Sequence, residues 1–126
     1  MKKDDRIYLV QMLEIAERIA RRMSTLSRAE FDSDEDVQLA LTHLLQTIGE
    51  AARLVGEDTR SKAGGIPWRQ ITGMRHRVVH DYLHINLQIV WDACERDVPA
   101  LIVELKRGLA ALGDPRSESD QEAQGT

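Results

Sequence analysis

The stretch Asp34–Gly56 reads DEDVQLALTHLLQTIGEAARLVG, and its spacing decides the fold class. Val37, Leu41, Leu44, Ile48, Ala51 and Val55 alternate steps of four and three, as a helix with one buried face requires. Asp34, Glu35 and Asp36 fall in its first turn and complement the macrodipole. Gly56 is placed to cap the other end. Gly49 lies inside the helix, where glycine costs up to ~1 kcal/mol against alanine. Close approach of another backbone is one reason to keep it there.

The same period runs outward in both directions. Upstream, Asp5–Thr25 carries Tyr8, Met12, Ile15, Ile19 and Met23 on one stripe, continued by Leu26 and backed by Leu9, Leu13, Ala16 and Ala20. Ser27-Arg28-Ala29-Glu30 has capping-box spacing, and Phe31 behind it is placed to plug the core. Downstream, Glu57–Gly65 reads as a loop, and Pro67 opens a third helix expected to reach Tyr82. Asn86 caps a fourth, with Leu87, Trp91, Cys94, Val98, Leu101, Leu105, Leu109 and Leu112 on its stripe. Pro99 has no N–H to give, so a kink near Glu95 is expected. Gly113-Asp114-Pro115 stops this helix. The expected fold is all-α, an antiparallel four-helix up-and-down bundle with a kinked last helix. Residues 1–113 form the bundle domain and 114–126 an acidic, disordered tail without apolar periodicity.

The chain has 126 residues and a net charge of −4, unevenly spread. The tail from Asp114 carries four acids and one base, whereas Thr59–Trp91 holds five bases against Asp81 alone. A locally cationic stretch can seat a phosphate backbone in an acidic protein. Cys94 is the single cysteine, so no internal disulfide forms, and it falls on an apolar stripe as an inert core thiol. With no spanning apolar run and no signal-peptide pattern at the N-terminus, a cytoplasmic protein without membrane contact is expected. Five aromatic residues are too few for a base-stacking platform.

Chemistry concentrates in Gly73-Met74-Arg75-His76-Arg77-Val78-Val79-His80-Asp81-Tyr82-Leu83-His84. Metal-free RNA cleavage needs an acceptor for the 2′-hydroxyl proton, a donor for the leaving 5′-oxygen, and cations for the charge gathering on phosphate. Histidine serves either proton role near neutrality, and arginine grips phosphate in a planar fork. On a continuous helix Arg75 and Tyr82, seven apart, share a face, while Arg75 and His80 lie about 140° apart. One helix is therefore a poor complete site, and two copies facing each other across a dimer axis would assemble a better one. His76, His80 and His84 at four-residue spacing offer a zinc-like stripe, but a single cysteine and few acids argue against a metal. No metal and no cofactor is expected. His43 on the second helix reads as a surface or hydrogen-bonded histidine.

Arg75-x4-His80-x-Tyr82 resembles the R-x4-H-x-Y signature of HepT-like toxins, in the HEPN superfamily of helical ribonucleases. Ile48-Gly49-Glu50-Ala51-Ala52, Ile66-Pro67-Trp68-Arg69-Gln70-Ile71, Gly73-Met74-Arg75 and Ile89-Val90-Trp91-Asp92 extend the resemblance, which covers Asp4 to Leu112. His76 departs from it, standing where the family commonly has asparagine or another polar residue. The resemblance implies a homodimer with a catalytic cleft at its interface and metal-independent endoribonuclease activity. It also implies a toxin role opposite a minimal nucleotidyltransferase antitoxin that adenylylates the signature tyrosine, here Tyr82. Carried over residue by residue, Arg75 binds phosphate and stabilises charge, and His80 is the general acid or base. Tyr82 is the modification target, and His76, Asp81 and Glu50 are supporting candidates. The alternative is a non-catalytic substrate-binding or regulatory subunit of such a nucleotidyltransferase, and a plain helical dimerisation module is a further rival.

Overall fold

The computed structural model describes residues 4–81 and 84–113, with side chains described for all of these except 75–81 and 84. Helix α1 spans Arg6–Met23, α2 Arg28–Ser33, α3 Glu35–Arg53, α4 Glu57–Lys62 and α5 Trp68–Val78. Two short strands follow, β1 Val79–Asp81 and β2 His84–Ile85. The last rod runs as α6 Leu87–Asp92, a π-helical turn Ala93–Asp97, and α7 Val98–Leu112. Four rods, α1, α3, α5 and α6–α7, form an all-α bundle.

Their directions follow from what touches at the ends. Asp5, just before α1, accepts from the Gly56 N–H beyond the end of α3 (2.9 Å) and from the Thr59 hydroxyl (3.1 Å). Arg6 donates to the Gly113 carbonyl at the end of α7 (2.6 Å). The start of α1 thus meets the ends of both neighbours, so it runs antiparallel to each. Late in α3, Gly49 lies against the Ile71 carbonyl early in α5, which makes that pair antiparallel as well. A Cβ on Gly49 would stand 3.2 Å from that oxygen, the close backbone approach its position in the sequence predicts.

One core fills the centre. Leu9, Met12, Leu13, Ala16 and Ile19 of α1 meet Leu41, Leu45, Ile48 and Ala52 of α3, and Val90, Cys94, Leu105 and Leu109 of the last rod. The expected stripe of the last rod is buried or half-buried from Leu87 to Leu112. Phe31 is the core plug expected of it, fully buried with its ring centroid 5.3 Å from that of Trp91. The Ser27/Glu30 capping box is formed: Ser27 Oγ accepts from the Glu30 N–H and Glu30 from the Ser27 N–H.

Three expectations change. Glu57–Lys62 is a helical turn rather than loop, and Gly56 opens it as N-cap instead of closing α3. Its acids lie first and its bases last, the order the macrodipole favours. The kink expected from Pro99 takes the form of the π-turn, in which the Val98 N–H reaches back to the Ala93 carbonyl. This wider winding ends where Pro99 cannot donate to Glu95. The third helix stops at Val78, four residues short of its expected end. The β-branched pair Val78-Val79 favours extended backbone there, and the chain reverses through an antiparallel pairing of Val79 with Ile85 and Asp81 with His84. The expected tail, 114–126, lies outside the described residues. Among the described residues no helix is long and apolar enough to cross a membrane.

Candidate active site

The signature segment hangs from α5, and the start of α5 is pinned by a local knot. Trp68 donates from its indole N–H to the Ala63 carbonyl (3.2 Å). The Arg60 guanidinium covers its ring at 5.4 Å. The same guanidinium donates to the Val55 and Ala52 carbonyls (3.0 and 2.9 Å), and so ties the end of α3 to the Trp68 ring. Gly108 on α7 makes room for the connection: a Cβ there would stand 3.1 Å from Ala63 and 3.2 Å from Ile66. Ile71 and Met74 are buried beneath α5, so its axis is fixed up to the residue before Arg75.

Arg75 and His76 belong to the last turn of α5. His80 and Asp81 belong to β1. Between the paired positions Val79 and Asp81 the register slips against Ile85 and His84, so His80 is the extra residue of a bulge. Bulges re-aim side chains and recur beside active sites. Helical spacing therefore ends before His80. The expected shared face of Arg75 and Tyr82, and the single-helix stripe of His76, His80 and His84, do not hold, because the winding that generates them stops at Val78. Tyr82 lies outside the described residues, as do the side chains of Arg75, His76, His80 and Asp81.

Asn86 closes the reversal, its side chain accepting from the Ile89 N–H (3.1 Å) at the start of α6. Glu50, the supporting candidate on α3, makes an ion pair with Arg53 one turn on (3.0 Å). It lines a shallow open groove of about 470 Å³ with His43, Gln46 and Thr47. His43 is thus a surface histidine, as expected.

The cationic stretch is only partly available to a ligand. Arg60 is committed to backbone carbonyls and the Trp68 face, and Lys62 faces Asp58 at 3.4 Å. Sequence reading missed this structural use of Arg60, for which the residues carry no short-range signal. It also passed over Arg18, Arg21 and Arg22, which line a groove between α1 and α3. Cys94 is buried, and desolvation pushes its thiol up to about 12, with Asp97 adding to the shift. That is the inert core thiol expected of it.

The model of the family described as "Ribonuclease HepT-like" matches residues 12–107. A Caldanaerobacter subterraneus subsp. tengcongensis protein, provisionally named as an RNase, is 31% identical over 82% of this chain and 93% of its own length. A Methanocaldococcus jannaschii protein of similar provisional name is 33% identical over 83% of this chain and 87% of its own. A Thermococcus cleftensis protein named "Probable ribonuclease HepT" is 29% identical over 80% and 92%. No solved structure matches. The family match spans the bundle from α1 into α7 and contains the whole segment from Arg75 to Tyr82, and on that ground the chain belongs to the HepT-like ribonuclease family.

Proposed function

We propose that the chain is a metal-independent endoribonuclease and the toxin of a type VII-like toxin–antitoxin pair. Its site is assembled from Arg75 and His80 across a homodimer interface. The observation that carries this reading is the match of a ribonuclease family to a chain that keeps Arg75, His80 and Tyr82 at signature spacing. The RNA 2′-hydroxyl attacks its own phosphorus and the bond from phosphorus to the 5′-oxygen breaks, leaving a 2′,3′-cyclic phosphate and a free 5′-hydroxyl. One imidazole takes the 2′-hydroxyl proton and a protonated one returns a proton to the 5′-oxygen. His80 fills one of these roles, and His76 is the candidate for the other. Arg75 stabilises the charge gathered on the phosphoryl oxygens.

Control is assigned to a minimal nucleotidyltransferase antitoxin that adenylylates Tyr82. The added phosphodiester carries negative charge and bulk into the segment that holds Arg75. The test is purified protein on RNA in EDTA, beside Arg75→Ala and His80→Ala. Cleavage in chelator with a cyclic-phosphate end, reduced at least ~100-fold in each variant, is expected. Cleavage that stops in EDTA and returns with a divalent ion would rule the mechanism out.

A further inference from the structure

The groove between the second half of α1 and the first half of α3 has a volume of about 530 Å³. Its floor is apolar, made by Val37, Ala40, Leu41 and Leu44, and its rim carries Arg18, Arg21 and Arg22. Arg18 and Arg21 have no carboxylate within ion-pair distance among the described residues. Asp36, at one end of the groove, also belongs to an adjoining acidic surface with Glu30, Asp34 and Glu35. The Ser27 N–H holds the Glu30 carboxyl below the usual carboxylate range.

Such a surface combines cations, an apolar trough and anions. RNA is a poor occupant, because a phosphate backbone laid along the arginines runs into four carboxylates. Residues 114–126, whose apolar side chains are only Pro115 and Ala123, offer nothing large and apolar for the floor. We propose that the groove is a docking site for an amphipathic helix of another protein. Its apolar stripe covers Val37, Ala40 and Leu44, its carboxylates face Arg18, Arg21 and Arg22, and a basic residue meets Asp34–Asp36. Helix-in-groove recognition uses this combination of apolar anchors and flanking charge. The inference stands apart from the ribonuclease reading, since it uses no residue of the signature segment.

The probe is a fluorescein-labelled synthetic helix about four turns long. It carries leucines at helical spacing, glutamates on one flank and lysines at one end. Anisotropy against the full chain should give saturable binding that weakens about tenfold or more in Arg18→Glu/Arg21→Glu and in Ala40→Glu, and is unchanged in Arg107→Glu. Circular-dichroism melts near that of the parent qualify each variant as folded, and RNA cleavage by Arg18→Glu/Arg21→Glu should match the parent. No binding of the probe overturns the proposal. So does displacement of the probe by a uridine oligomer, or loss of cleavage in the double variant, either of which makes the groove a nucleic-acid surface. Self-association that Ala40→Glu dissolves would make the occupant a second copy. Tighter binding after truncation at Gly113 would make it the chain's own tail.

Discussion

Cys94 shows how burial rather than residue type sets chemistry. Its thiol is raised to about 12 because desolvation penalises the thiolate. An unfolded cysteine ionises near ~8.5. A group whose folded value is raised contributes stability in full below its unfolded value and loses it as pH rises toward the folded one. Between about pH 9 and pH 12 this thiol should therefore erode stability by up to roughly 1.4 kcal/mol per pH unit. Denaturant midpoints across that window, compared between the parent and Cys94→Ala, isolate the effect from lysines and tyrosines: the parent should fall more steeply. At neutral pH, iodoacetamide should label Cys94 only at the rate of unfolding. Gly49 makes the complementary case at a backbone. Alanine there gains helix propensity of up to ~1 kcal/mol but sets a methyl 3.2 Å from the Ile71 carbonyl, so the two effects offset. Gly49→Val has no such compensation and should lower stability by about 2 kcal/mol or more through forced separation of α3 and α5. Urea midpoints of the two variants test this, and a Gly49→Val protein as stable as the parent would show that the contact yields.

At the scale of elements, the long helices were legible and the punctuation was less so. The stripes of α1, α3 and α7 are set by burial against one another, and their apolar spacing reports that burial directly. Gly49 was legible too, because a mid-helix glycine has few other uses. The end of α5 was not. Arg75, His76 and Arg77 are compatible with helix, and the decision falls on Val78-Val79 and on pairing with His84-Ile85, a partner several residues ahead. Asn86 then starts α6 with a side-chain cap. This cap fixes where the reversal ends, and hence where β2 places its half of the bulge at His80. Asn86→Ala should cost about 1 kcal/mol of stability. Its effect on RNA cleavage should exceed what that loss of folded protein explains, because the bulge register is released as well. Cleavage rates normalised to folded fraction, with Asn86→Asp as the rescue, read this out. Normalised rates equal to the parent would detach the cap from the site.

For the whole molecule, Arg75 and His80 must act on one phosphate, from one chain or from two. Arg75 sits three residues before the end of α5, and His80 two residues beyond it. At helical and extended rises of about 1.5 and 3.3 Å per residue, the backbone between them spans up to roughly 11 Å. An acid–base group and a phosphate clamp must both bring side-chain atoms to hydrogen-bonding distance of one phosphoryl centre, either by converging from one chain or with a second copy supplying one of them. The proposed two-fold dimer, with the two segments at its interface, would give one cleft two arginines and two histidines. Mixed dimers separate these cases. Arg75→Ala and His80→Ala homodimers should each be nearly inactive. When the two proteins are unfolded together and refolded as a mixture, the heterodimers keep one Arg75 and one His80 in the shared cleft, so cleavage should reappear in proportion to the heterodimer fraction. If each chain instead carries a complete site of its own, every site in the mixture bears one lesion and activity stays at the level of the separate variants. Mixtures of parent with Arg75→Ala supply the calibration, since they measure how much a cleft with a single Arg75 can do.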